Sequence, residues 1–229
     1  MSTYKNYALP DHSRRTEYAT QSKENPMKHF TPRRRNLLAL GLLALLILGG
    51  CTTYTRQIVL RYDPITTTRF GGGDLYVVNA ELQPPTASGA WAIGNTKDSR
   101  GVLIDTLWSG VSPAGLVQSA LQRELGQTGY QVIPAKQAPA LSNKVVEITE
   151  ARVNIDQVSK IPQLDAACTV SVSLTVLKNG TPVRKLHYEA KGSDLSIKDR
   201  DRLAETMLRS TMQDVMRQAI PDIVANLEQ

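Results

Sequence analysis

Residues Ala166 to Leu177 alternate without interruption. Ala166, Cys168, Val170, Val172, Leu174 and Val176 share one parity, and Ala167, Thr169, Ser171, Ser173 and Thr175 the other. Successive side chains of a strand point to opposite faces, so this segment is a strand with one dry and one wet face. Asn179-Gly180 follows it, ahead of a second apolar-alternating run from Val183 to Lys191. Both residues tolerate positive φ, which makes the pair a two-residue hairpin turn. Asn179-Gly180-Thr181 also matches a glycosylation sequon, but the hairpin accounts for it without sugar.

The remaining elements are arranged around this hairpin. Leu75 to Leu82 reads as a strand with Tyr76, Val78, Ala80 and Leu82 on one face, stopped by Pro84-Pro85. Ser112-Pro113 starts a helix with Ser as N-cap; Leu116, Val117, Ala120, Leu121 and Leu125 form its buried stripe, and Gly129 ends it. Tyr130 to Ile133 is a strand before Pro134. Val145 to Asp156 is a strand that changes phase, Val146 and Ile148 giving way to Ala151, Val153 and Ile155. A bulge near Thr149-Glu150 would keep both sets on the core face. Ser196, with Asp199 three residues on, caps a long helix whose stripe is Ala204, Leu208, Thr211, Met212, Val215 and Ala219, until Pro221 kinks or ends it. This order predicts an α+β fold, a largely antiparallel sheet with two helices packed on one face.

Upstream, Leu37 to Gly50 is an uncharged run of 14 residues, preceded by Arg33, Arg34 and Arg35 and closed by two glycines before Cys51. That is the layout of an export signal. A membrane-spanning helix needs about 20 apolar residues, so the run is too short to anchor the chain permanently. Leu48-Gly49-Gly50-Cys51 resembles the lipobox of bacterial lipoproteins, which implies cleavage between Gly50 and Cys51 and acylation of Cys51. Two or more acyl chains hold a protein stably, at about 0.8 kcal/mol per buried methylene. The competing reading, a short buried helix ending in Gly-Gly-Cys, needs basic flank, run length and small residues to coincide by chance. Thirty-six residues precede the apolar run, whereas a leader starting at Met27 has an ordinary length, so residues 1–26 are expected to lie ahead of the true start. A twin-arginine signal, with Arg34-Arg35-Asn36-Leu37-Leu38 at its core, would tolerate the long amino-terminal region instead. Thr52 after the cysteine, in place of the Asp typical of inner-membrane retention, predicts sorting to the outer membrane, facing the periplasm.

Residues 51–73, threonine-rich with Gly71-Gly72-Gly73, are expected to be the lipidated tether, with Ile58 to Tyr62 as a short edge strand; residues 74–229 form one domain. The glycine triplet lacks the Gly-Lys-Ser/Thr ending of a phosphate loop. Eight of the 27 basic and three of the 21 acidic residues fall within residues 1–50, so the other 179 residues carry 19 against 18, a net charge of +1. No single-sign field remains to attract nucleic acid. Cys168 is then the one cysteine besides Cys51, which rules out a disulfide framework and predicts a small buried thiol.

Catalysis is not expected. The one histidine after the leader, His187, shares the polar side of its strand with Lys185, Glu189 and Lys191, and no Gly-x-Ser-x-Gly elbow accompanies it. Metal-ligand spacings and cofactor motifs are absent. Trp91 to Trp108 stands out because it holds both tryptophans. It reads either as an extra edge strand packed on the core or as a partner contact through Trp91, Leu103 and Trp108.

Together these motifs carry a resemblance. The lipobox, the first strand, Ile93-Gly94 with Asp98-Ser99, a helix ending in Leu125, Gly129, Tyr130 and Val132, three strands with a glycine turn and a terminal helix resemble the YajG-like family of Gram-negative lipoproteins. Auxiliary lipoproteins of ABC-type transporters are a near neighbour in element order. The resemblance implies a non-enzymatic outer-membrane lipoprotein, an accessory or scaffold of an envelope complex, with no catalytic residues carried over. The alternative is a lipid- or glycolipid-binding auxiliary protein, which would need an apolar cavity where a scaffold would have a filled core.

Overall fold

The computed structural model describes residues 56–80, 84–140 and 142–229. In chain order they form β1 (Arg56–Ile58), β2 (Asp74–Asn79), β3 (Trp91–Asp98), β4 (Leu103–Ser109), α1 (Pro113–Gln127), β5 (Gln131–Ala135), β6 (Lys144–Ser159), β7 (Leu164–Lys178), β8 (Thr181–Ser196) and α2 (Arg200–Glu228).

β6 is the axis of the sheet. One of its edges pairs antiparallel with β7 over the whole length, from Lys144 opposite Lys178 to Ser159 opposite Leu164. The other edge is shared end to end by two short strands, both parallel to it. β2 takes Val145 to Ile148 and β3 takes Ile155 to Ser159. β5 adds parallel to β2, β4 adds antiparallel to β3, and β1 adds parallel to β4. β8 covers the far edge of β7.

The α+β expectation holds, but the sheet is mixed where a largely antiparallel one was expected. Four pairings are parallel, β1 with β4, β2 with β5, and β2 and β3 with β6, a direction that residue alternation does not report. The helices also differ from the expected pair on one face. They divide the curled sheet between them, α1 packing on β2, β5 and β6 and α2 on β7, β8 and β6, and they touch each other.

Within this frame the strongest local signals hold. Asn179 and Gly180 have φ of 51° and 74°, and Lys178 pairs with Thr181 across the turn. β6 slips register between Ile148 and Glu150, and Val146, Ile148, Ala151, Val153 and Ile155 are all buried. In β2 the stripe differs. Leu75 and Val77 are fully buried and Val78 nearly so, because both edges of β2 are paired and α1 covers it, while Leu82 lies outside the described residues. α2 begins three residues later than its capping pattern suggests. Asp199 is the N-cap, and Ser196 Oγ accepts from the Asp199 N–H at 3.0 Å. Nor does Pro221 end this helix, since buried Ile220, Ile223, Val224 and Leu227 hold its last turns on the core.

Gly94 marks the closest strand approach. A Cβ placed there would stand 2.1 Å from the Ile155 carbonyl oxygen, which belongs to the β6 backbone and cannot move aside cheaply. Gly94→Ala is expected to destabilise the domain by about 1–3 kcal/mol, the cost of overpacking, seen as a lower urea midpoint with an unchanged slope.

Candidate functional site

The described part of the stretch expected to be tether is laid across the domain. After β1, residues 59–73 form a strap held by α1. Glu124 lies on the dry side of that helix, is fully buried, and faces three donors. The Tyr62 hydroxyl donates to its Oε1, as does the Ile65 N–H at 2.9 Å, and the Thr66 N–H donates to Oε2 at 2.9 Å. The neighbouring Arg123 guanidinium donates to the Tyr62 carbonyl, and Gln213 of α2 donates to the Asp63 carbonyl at 2.8 Å. The strap closes where the Phe70 and Gly71 N–H groups share the Thr128 carbonyl. Burial, then the bond to Glu124, pushes the Tyr62 phenol far above its ordinary range, so it remains a donor at any physiological pH. The sequence does contain a trace of this lock. Glu124 occupies a position next to Leu125 and three after Leu121, inside the apolar stripe, where a charge has no place unless it is paired.

Removing the carboxylate leaves buried donors unmatched. Glu124→Ala should therefore cost about 3 kcal/mol, while Tyr62→Phe, which removes one donor and keeps the ring, should cost about 1 kcal/mol, both measured by denaturant unfolding.

The residues expected to contact a partner separate into two places. Ala92 lies opposite Trp108 and Trp91 opposite Ser109, so the two tryptophans share one end of the β3–β4 ladder. Both are half-buried, and Trp91 packs against the core and lines an open groove of about 400 Å³ with Asn79, Gln118 and Lys136. Leu103 sits at the opposite end of β4, about 17 Å from Trp108 along the strand, and is 57 % exposed. β4 is also not an outermost strand, because β1 covers Leu107 to Ser109.

His187 is exposed, as its strand position predicts, and its Nδ1 lies 3.0 Å from Ser173 Oγ on the neighbouring strand. Glu150 approaches the same hydroxyl at 3.5 Å, from the side away from the imidazole. A carboxylate placed there cannot orient the ring, so this row across three strands lacks the order of a hydrolytic triad. Cys168 is buried in the core, and desolvation pushes its thiol up to about 11. Raising a folded-state pKa stabilises the fold below the ordinary thiol value, and that contribution is lost as pH rises toward 11. The folded protein at pH 8 should leave Cys168 unreactive toward an aromatic disulfide, with full reaction in urea; rapid native reaction would place the thiol outside the core.

Gly50 and Cys51 lie outside the described residues. Among the described residues no helix is long and apolar enough to cross a membrane, and no three acidic, His or Cys side chains gather as metal ligands.

No family model matches the chain, and no curated protein matches its sequence. Solved structures with partial likeness include a Xanthomonas campestris protein of the DUF330 family, at TM-score 0.45 and 10% identity, covering 76% of this chain and 97% of that one. Uncharacterized lipoprotein B from Nitrosomonas europaea aligns at TM-score 0.38 and 10% identity, over 73% of this chain and 92% of its own. A minor lipoprotein from Acinetobacter baumannii aligns at TM-score 0.36 and 8% identity, over 69% and 92%.

Proposed function

We propose that this chain is a YajG-like lipoprotein, anchored through acylated Cys51 to the periplasmic face of the outer membrane, and that its domain is a non-enzymatic accessory or scaffold of an envelope protein complex. One observation carries the anchor: Leu48-Gly49-Gly50-Cys51 closes a 14-residue apolar run behind three arginines. Processing before Cys51 removes that run, and acyl chains on the cysteine then replace it as the membrane attachment. The domain side of the reading is supported by the packing. Buried residues of sheet and helices form one continuous cluster, and the hollow beside Trp91, about 400 Å³, is an open groove. A carrier must enclose the acyl chains of its cargo, so this packing favours the scaffold over the lipid- or glycolipid-binding alternative. The tryptophan end of the β3–β4 ladder, with the groove beside it, is the proposed partner contact.

Cys51→Ser should leave unprocessed precursor and release no mature protein into the outer-membrane fraction. A variant still cut before residue 51 and still sedimenting with membranes would sink the anchor. In a density gradient the wild type should band with outer-membrane markers; banding with the inner membrane would overturn the sorting expected from Thr52. Solvent extraction of the purified protein should yield only the lipid bound covalently at Cys51. A further lipid in stoichiometric amount would favour the carrier.

A further inference from the structure

Among the described residues, six of the ten large apolar side chains left exposed lie at one end of the sheet: Val102, Leu103, Ile104, Ile161, Leu195 and Ile197. The register places them there. Leu103 pairs with Lys97, Lys97 with Val158, Val158 with Asp165 and Asp165 with Leu195, one row crossing β4, β3, β6, β7 and β8. Five strands about 4.8 Å apart make this rim roughly 19 Å wide. Ile161, at the tip of the β6–β7 turn, is 98 % exposed, and the others are 56–58 % exposed. Scattered single exposed apolar residues are ordinary, but a majority gathered at one end forms a patch that needs an occupant.

The position of the chain's attachment identifies that occupant. Arg56, the first residue of β1, lies opposite Leu107, and β1 runs parallel to β4, so the chain enters β1 from the rim end. Cys51 is five residues before Arg56. At about 3.6 Å per residue, no conformation of that link carries Cys51 more than about 18 Å from the start of β1. Leu103 lies four residues from Leu107 toward the rim, about 14 Å, which is within reach. The Asn179-Gly180 hairpin end lies beyond Lys144, eleven residues from the Ile155 row that aligns with Arg56, about 37 Å, which is out of reach.

We propose that the rim is a membrane-contact surface: the apolar tips of β4, the β6–β7 turn and the end of β8 sit in the bilayer that holds the acylated cysteine, fixing the domain upright with the hairpin end directed away from the lipid. This rests on the anchor proposed above. The contact is apolar in character, and three of the cations that border it carry their own counter-ions. Lys160 pairs with Asp165 at 2.6 Å, Arg100 with Asp98 at 3.0 Å and Lys97 with Asp156 at 3.9 Å. Side chains of this size insert to the headgroup–acyl boundary, about 5–10 Å deep, without needing anionic lipid.

The test uses full-length, acylated protein in phosphatidylethanolamine–phosphatidylglycerol vesicles. Ile161→Cys, Leu195→Cys and, as the distant control on β8, Val183→Cys are each labelled with an environment-sensitive fluorophore. Cys51 is blocked by its lipid and Cys168 by burial, so the new thiol takes the label. Lipids carrying a spin-label quencher near the headgroup should quench positions 161 and 195 several-fold more than 183, equally at low and high salt. Equal, water-like emission at all three positions, in a protein that floats with the vesicles while Cys51→Ser does not, overturns the rim and leaves the anchor standing. A shielded label that the lipid quencher cannot reach also overturns it, since the rim is then covered by protein, a second copy included. A wild-type protein that fails to float overturns the anchor, and this orientation with it.

Discussion

A single 16-residue strand, β6, sets the frame of this domain. One edge is fully paired with β7 and the other is divided between β2 and β3, so every other strand is placed directly or indirectly by its register. That division needs both halves of β6 to present apolar residues to the same core. Side chains alternate with period two, so an unbroken strand would turn Ala151, Val153 and Ile155 to the face opposite Val146 and Ile148. The slipped register at Thr149 inserts the extra residue that returns them, and all five are buried. Gly94 then lets β3 come against the second half of β6, where any side chain would meet the Ile155 carbonyl.

Polar locks complete what the sheet begins. Glu124 gathers a phenol and two backbone N–H groups from the strap, which satisfies a carboxylate that burial would otherwise make costly. At the other end of the chain, Glu228 accepts from Lys144 at 2.6 Å and from Tyr130 at 2.5 Å, with the Lys144 ammonium 5.0 Å from the Tyr130 ring centre. Those bonds, the lysine's first, hold the Glu228 carboxyl below its ordinary range. A depressed carboxyl stabilises the fold above its unfolded pKa and loses that effect as pH falls through the folded value. Glu228 is partly exposed, so the gain is small, but it pins the last turn of α2 to the start of β6.

The two parts of the functional reading bear on each other through distance. With Cys51 lipidated as proposed, the four residues between it and Arg56 would leave the domain little freedom to choose which end meets the bilayer. The opposite end of the β3–β4 ladder, with both tryptophans and the open groove beside Trp91, is thereby turned toward the periplasm in the proposed arrangement. Anchoring and partner binding would then use opposite ends of the same two strands.

What the sequence determined by itself was local. The alternation of β7, the Asn179-Gly180 turn, the Ser112-Pro113 start of α1 and the phase change in β6 each follow from a spacing of a few residues, and each stands in the fold. The apolar run ending at Cys51 is likewise a contiguous pattern. Tertiary structure alone decided how strands separated in sequence are ordered and directed, because alternation is the same for a parallel and an antiparallel neighbour. It buried Leu75, Val77 and Val78 of β2, parted Leu103 from Trp108 and turned residues 59–73 into a strap. It also gathered Leu103, Ile161 and Leu195 at one end, although they lie far apart in the chain. No window of sequence contains such a rim, since only the register of five strands brings its residues together.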